Sequence, residues 1–226
     1  MSAGSPRQHG FRSPLGGGRR AVGAGTFAAP ALLAVGALVV LGAALRFYGL
    51  SHQGFWFDEA NTAQLVRFSP GKMLGLLPQS ESTPPLYYCV AWVWARIFGF
   101  DEAGLRSLSA LCGVLTIPVA YLVGAQLVSR RAGLIATALA ACSPLLIWYS
   151  QEARSYAMLI LLTALSLLAF VSARAAPTPR ALALWALASV LALATHYYAA
   201  VAVAPEAGWL LARQRRPRAV RVAVAI

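Results

Sequence analysis

Residues 85–99 read PLYYCVAWVWARIFG, and the placement of this apolar stretch decides the topology of the chain. As a helix it would be about 22 Å long, whereas the hydrocarbon core of a bilayer is roughly 30 Å thick. It contains Arg96 and is dense in Trp and Tyr, which is typical of helices at the membrane–water interface. We therefore predict that it lies flat at the interface.

Counting the basic residues on each side of the membrane supports this placement. If residues 85–99 lie flat and the N-terminus is cytoplasmic, thirteen of the nineteen basic residues are cytoplasmic, but only seven are if the stretch spans. Because basic loops favour the cytoplasm, the flat helix is preferred. The thirteen are Arg7, Arg12, Arg19, Arg20, Arg130, Arg131, Arg174, Arg180, Arg213, Arg215, Arg216, Arg218 and Arg221.

The composition predicts an all-α, polytopic membrane protein. Hydrophobic residues make up 59% of the chain and charged residues 12%, about half the charged share of a soluble domain. The apolar runs lack the alternation of a β-barrel, so helices are the spanning elements. The net charge of +12 lies at the ends of these runs, which indicates topology setting and contact with anionic membrane lipids rather than nucleic-acid binding.

The apolar runs predict about six transmembrane helices in the plasma membrane. Residues 1–26 are predicted to be a disordered cytoplasmic tail, residues 27–226 a transmembrane module, and residues 46–104 its long exterior loop. One helix over 181–212 would be about 48 Å long, so this run is split into a hairpin. The predicted spans are 27–45, 105–128, 132–148, 156–173, 181–195 and 199–212, and a seventh begins at 219–226.

The acidic residues gather in the predicted exterior loops, with Glu206 alone in the bilayer. Residues 54–63 read GFWFDEANTA, and a short helix is predicted over residues 59–68. In one interpretation Asp58 caps this helix and Glu59 complements its dipole. In the other, a carboxylate acts as a general base at the membrane surface, where a low dielectric raises its pKa.

Two further stretches and two single residues place polar groups next to apolar runs. In WYSQEARSY, residues 148–156, Glu152 and Arg154 could form a solvated ion pair, or provide a second carboxylate and a phosphate-binding arginine. Residues 82–88, STPPLYY, predict a helix start with interfacial tyrosines, including Tyr87. Arg106 and His196 fit interfacial roles, Arg106 by snorkelling.

In their order, these motifs resemble those of the GT-C superfamily of polytopic glycosyltransferases that use lipid-phosphate sugars. The resemblance covers roughly residues 27–212 and is closest to the bacterial branch similar to dolichyl-phosphate-mannose protein mannosyltransferases and to Rgt-type lipopolysaccharide core glycosyltransferases. It implies an exoplasmic active site, and a first loop with two membrane-parallel helices and an essential acid.

By match of motif, the resemblance makes Asp58 the catalytic carboxylate, with Glu59 beside it. Glu152 matches an acidic position that in some members helps to hold a divalent metal, so Asp58 and Glu152 are candidate ligands of Mg or Mn. Arg154 is a candidate for phosphate contact, and Tyr87, Arg106 and His196 are further substrate-binding candidates. The implied donor is a polyprenyl-phosphate sugar, transferred with inversion to the hydroxyl of a protein, glycan or lipid.

Two alternatives remain open at this point. A transporter or flippase-like protein would place ionisable groups near the bilayer midplane, where only Glu206 is predicted, and would often show inverted repeats, which we do not find. Alternatively, the chain is a catalytically incomplete fragment, because members of the family continue for several spans beyond this length.

Overall fold

The computed structural model describes residues 29–213, which form ten α-helices and no strand. The all-α prediction is thus confirmed, while the predicted tail over 1–26 and the start of a seventh span at 219–226 lie outside the described residues. The helices are α1 (Ala29–Phe47), α2 (Phe57–Leu65), α3 (Pro70–Ser80), α4 (Leu86–Phe98), α5 (Glu102–Leu127), α6 (Arg130–Cys142), α7 (Pro144–Ser150), α8 (Tyr156–Ala175), α9 (Pro179–Thr195) and α10 (Ala199–Arg213).

The membrane-spanning helices follow the predicted apolar runs closely. Among the described residues, α1, α5 and α8 are long and apolar enough to cross a bilayer, and α6 with α7 makes a fourth crossing if the bent pair is one span. The predicted hairpin appears as α9 and α10, which are shorter, at 17 and 15 residues. The chain is therefore a polytopic helical membrane protein.

Local chemistry explains where several helices begin. Asp101, Ser129 and Thr178 precede α5, α6 and α9, and each side chain accepts a hydrogen bond from a backbone N–H in the first turn. Between α6 and α7 the axis bends by 55°. Pro144 lacks an N–H to continue α6, and Ser143 caps the new helix by accepting from Leu146 N.

The long loop after α1 is a packed layer of three helices, α2 to α4, where the resemblance implied two. Residues 50–54 follow α1 and contact Arg106 in the first turns of α5. The loop therefore starts and finishes at the same end of the bundle. This is the arrangement expected if residues 85–99 do not cross the membrane. At 13 residues, α4 is shorter than a bilayer crossing needs. Its buried face includes Tyr87, Tyr88 and Ala91 and joins one hydrophobic core with α2, α3 and α5.

Helix α5 is the central helix of the bundle, since it packs against α1, α4, α6, α7 and α8. Its contact with α6 depends on two glycines. A Cβ at Gly124 would lie 2.9 Å from the Gly133 Cα, and a Cβ at Gly133 would lie 2.7 Å from the Tyr121 carbonyl oxygen. Small residues of this kind let membrane helices approach closely, where packing replaces the hydrophobic effect as the main attraction.

We predict that Gly133→Ala separates α5 from α6 and lowers stability by about 1–3 kcal/mol, because the added methyl group meets backbone that cannot rotate away. Thermal unfolding of the purified protein in detergent measures the effect. Gly36→Ala in α1 is the matched control, because nothing lies within 4 Å of a Cβ there. Equal melting temperatures for the two variants would contradict the close packing.

Candidate active site

The acid pair lies in the first turn of α2, where its two members point in different directions. Successive residues of an α-helix are rotated by about 100°, so neighbouring side chains cannot share a direction. The Glu59 side chain is fully buried, whereas that of Asp58 is 38% exposed. Trp56 holds the N-cap position and α2 begins at Phe57. The interpretation of Asp58 as the helix cap is therefore wrong.

Glu59 and Arg106 form a buried, bidentate ion pair. Arg106 Nε and Nη2 donate to the two carboxylate oxygens of Glu59 at 2.8 and 2.6 Å. Arg106 also donates to the carbonyl oxygens of Leu50, Gln53 and Gly54. Arg106 is only 6% exposed, so the interpretation of this residue as an interfacial snorkeller is wrong.

The same carboxylate holds the loop between α7 and α8. Glu59 Oε1 accepts a hydrogen bond from the backbone N–H of Ala153 at 2.7 Å, although the two residues are 94 positions apart. Glu59 Oε2 also accepts from the N–H of Trp56 at 3.4 Å. With all these donors around it, Glu59 has the contacts of a structural hub.

Arg154 lies next to this hub and pairs with acids from the long loop. Its Nη1 is 2.7 Å from Glu81 Oε1, and its Nη2 is 3.8 Å from Asp58 Oδ2. The solvated Glu152–Arg154 pair considered above is therefore not what forms. Burial lowers the pKa of Arg154, but its hydrogen bond to Glu81 and the charges around it outweigh burial and raise that pKa overall. Arg154 is thus a fixed positive charge beside Asp58.

Glu152 is the third carboxylate of the site and is only 9% exposed. Burial raises the pKa of Glu152 above its ordinary value, and the nearby Glu59 and Asp58 charges raise it further, against a hydrogen bond from Trp148 and the charge of Arg154. Its negative form is therefore disfavoured compared with a solvated glutamate. Such a group is suited to hold or accept a proton.

Two cavities adjoin these charged groups. The larger has a volume of about 760 Å³ and lies between the chain after α1 and the α7–α8 connection, with Glu59, Arg106 and Glu152 among its lining residues. Aromatic side chains also line it: Tyr48, Trp56, Trp148, Tyr149 and Tyr156. The second, of about 530 Å³, is lined by Glu81, the 82–85 segment and Tyr197. Each is in the size range of a small-molecule site.

The two remaining substrate-binding candidates have different surroundings. Tyr87 is 1% exposed and packs in the core under α2 and α3, so it does not face a cavity. His196 is 9% exposed and lies beside Tyr156, with ring centroids 5.9 Å apart. Burial lowers the pKa of His196, and the charge of Arg154 lowers it further, so a neutral imidazole is expected at neutral pH.

Glu206, the acid predicted within the bilayer, ties three helices together. Its Oε2 accepts from Ser166 Oγ of α8 at 2.5 Å and from Trp185 Nε1 of α9 at 2.8 Å. Ser166 is also hydrogen-bonded to Ser189 at 2.9 Å. These contacts are those of an interhelical clamp, and they give the transporter alternative no support.

The proposed metal ligands do not form a metal site by themselves. Within residues 29–213, no group of three or more His, Cys, Asp or Glu side chains is arranged to hold a metal ion. Asp58 and Glu152 would thus need further ligands from elsewhere.

The sequence interpretation gave no role to Glu81. A signal was present, because Glu81 is one of the acids in the long loop predicted to be exterior and directly precedes the STPPLYY stretch. In the structure Glu81 accepts from Arg154 and, at 2.9 Å, from Asn61 Nδ2. It thereby connects the end of α3 with α2 and the α7–α8 loop.

Comparison with known proteins identifies the family of the chain. The model of the family described as dolichyl-phosphate-mannose-protein mannosyltransferase matches residues 82–225. This match covers more than half of the chain, so the protein belongs to that family and is of the GT-C glycosyltransferase type. No protein among the curated sequences matches the chain.

We predict that Glu59→Gln lowers the free energy of unfolding by about 3 kcal/mol, because it leaves the buried Arg106 charge without its partner. Asp58→Asn is the matched control, and we expect a change below about 1 kcal/mol, since its pair with Arg154 is long and partly exposed. Thermal or denaturant unfolding in detergent compares the two. A larger loss for Asp58→Asn than for Glu59→Gln would contradict the assignment of Glu59 as the hub.

Proposed function

We propose that this protein transfers a sugar from a polyprenyl-phosphate donor to an acceptor hydroxyl at the exoplasmic membrane face, with Asp58 as the general base. The observation that carries the proposal is the difference between the two neighbouring acids. Glu59 is fully used in a buried ion pair, whereas Asp58 is partly exposed and lies 3.8 Å from a fixed arginine.

The reaction is a single displacement at the anomeric carbon. The acceptor oxygen forms a bond to that carbon while its proton passes to the Asp58 carboxylate. The bond between the carbon and the phosphate oxygen breaks, and the polyprenyl phosphate leaves with the bonding electrons. Because the nucleophile enters opposite the leaving group, the anomeric configuration is inverted.

Arg154 is positioned to stabilise the leaving phosphate. Negative charge on that group grows in the transition state, and a fixed guanidinium held in a water-poor site stabilises it more than mobile solvent does. Glu81 holds Arg154 by a short ion pair. In this scheme Glu81 orients the arginine and Asp58 remains free to take the proton.

A site at headgroup depth would suit a lipid-linked donor. A polyprenyl tail stays in the bilayer, so the reacting carbon lies at headgroup depth. Exposed aromatic side chains, which favour this depth, surround the site. They are Tyr48, Trp56, Phe57, Trp148, Tyr197 and Tyr198.

We predict that Asp58→Asn lowers the rate of transfer by about 10²–10⁴-fold, the usual contribution of a general base, while membrane insertion and folding are unchanged. The measurement is transfer from a panel of labelled polyprenyl-phosphate sugars in membranes that contain the protein. Glu102→Gln, an acid in the first turn of α5, is the control and should keep wild-type turnover. Retained turnover in Asp58→Asn would exclude Asp58 as the base.

Sidedness is tested separately by cysteine labelling. In a background with Cys89, Cys112 and Cys142 replaced by alanine, we predict that a membrane-impermeant maleimide added to intact cells labels Asp58→Cys. Arg130→Cys, at the other end of the bundle, should react only after permeabilisation. Labelling of position 130 but not position 58 in intact cells would reverse the orientation and remove the exoplasmic site.

A further inference from the structure

Arg46, in the last turn of α1, is a buried arginine that the proposed reaction does not use. It is 1% exposed, and none of the ion pairs within residues 29–213 involves it. Its Nε donates to Ser150 Oγ at 3.2 Å, and its two terminal nitrogens donate to the carbonyl oxygens of Gly42, Ala141 and Ala140 at 3.1, 3.0 and 2.7 Å. A buried charge held by neutral acceptors alone requires an explanation.

The break between α6 and α7 provides these acceptors. Pro144 has no N–H, so the Ala140 carbonyl loses the donor that a continuous helix would supply. Ala140 and Ala141 lie in the last turn of α6, where carbonyl groups are unpaired and the helix dipole is negative. A cation that donates to both carbonyls stabilises this helix end, and Arg46 does so from a different span.

Space for this side chain is created by glycine in two helices. A Cβ at Gly113 of α5 would lie 2.0 Å from Ser150 Oγ and 2.8 Å from Arg46 Nε, and a Cβ at Gly42 would lie 3.2 Å from the Arg46 Nη1. A cavity of only about 10 Å³ remains beside Arg46, which is about the volume of one water probe. The surroundings therefore fit this residue closely.

The contact continues from Arg46 into the candidate active site. Ser150 is the last residue of α7. The next side chain, Gln151, donates to the carbonyl oxygens of Leu45 and Tyr48 at the end of α1, at 3.1 and 2.9 Å. Glu152 and Arg154 follow directly. The end of α1 thus holds the chain on one side of these two residues, and Glu59 holds it at Ala153.

We propose that Arg46 is a positioning residue, which fixes α7 against α1 and thereby places Glu152 and Arg154 opposite Asp58. Its effect on catalysis rests on the proposed function, but its effect on the structure of the α7–α8 loop does not. Arg46→Met keeps a long apolar side chain and removes the donors, while Arg46→Lys keeps the charge and some donors without the planar fork.

Limited trypsin digestion of the full chain in detergent tests the structural part. Arg154 is itself a trypsin site that is buried in the wild type. If Arg46 fixes the loop, cleavage after Arg154 becomes about tenfold faster or more in Arg46→Met, because proteolysis follows the population of the opened loop. Cleavage after Arg106, buried inside helix α5, should not change. Arg174→Met, at an exposed arginine in the last turn of α8, is the matched control and should behave as the wild type.

Other digestion patterns would overturn the proposal. These are wild-type cleavage after Arg154 in Arg46→Met, or an equal increase after Arg106 and Arg154, which indicates general destabilisation. Given transferase activity, Arg46→Met should lower kcat by about tenfold with the donor KM unchanged, and Arg46→Lys should recover part of the loss. A wild-type protein without transfer would contradict the proposed function alone, because the digestion does not depend on turnover.

Discussion

The buried ion pair between Glu59 and Arg106 is the interaction on which the rest of the site depends. It brings together three segments that are far apart in the sequence: the start of α2, the first turns of α5, and the backbone at Ala153. Arg106 also donates hydrogen bonds to three carbonyl oxygens within residues 50–54. The same side chain therefore fixes the turn after α1. A charged pair removed from water is favourable only when such additional hydrogen bonds satisfy it. Here the additional hydrogen-bonding partners come from the segments that form the site. The hydrogen bonds that satisfy the ion pair therefore also hold these segments together.

Two of the buried arginines near this end of the bundle, Arg46 and Arg106, are satisfied in different ways. Arg106 pairs with a carboxylate, whereas Arg46 pairs with carbonyl groups that the α6–α7 break leaves without donors. Both solutions follow from the requirement that polar groups inside a membrane protein find partners within the protein. Both also connect segments at the end of the bundle where the acids lie. The spans are held at this end by directional bonds, whereas the α5–α6 contact around Gly124 and Gly133 depends on close packing of small residues.

The sequence predicted the helices better than it predicted the contacts among the acids and arginines of the candidate site. Apolar runs define spans because their lengths match the bilayer, and the acids of the site were recognisable because they are confined to loops between these runs. The pairing was not predictable, since Glu59 meets Arg106 at a separation of 47 residues and Glu81 meets Arg154 at 73. Local spacing suggested Glu152 as the partner of Arg154, yet the fold brings Glu81 closer. The prediction for Tyr87 failed for a related reason. An aromatic residue at a helix start is typical of the membrane interface, but the packing of α2 and α3 over Tyr87 buries it in the core.

In the proposed function, the adjacent acids Asp58 and Glu59 divide two tasks that one carboxylate could not perform together. A general base needs lone pairs that face a substrate, whereas a structural hub needs all of its lone pairs occupied by donors. Helix geometry turns neighbouring side chains about 100° apart, so the same turn of α2 can send Glu59 into the core and leave Asp58 at the surface. The position of Asp58 is then fixed mainly by the anchoring of its neighbour, since the ion pair of its own carboxylate with Arg154 is long, at 3.8 Å. This arrangement would hold the proposed base in place while its carboxylate, among the described residues, makes a long ion pair with Arg154 rather than a short one.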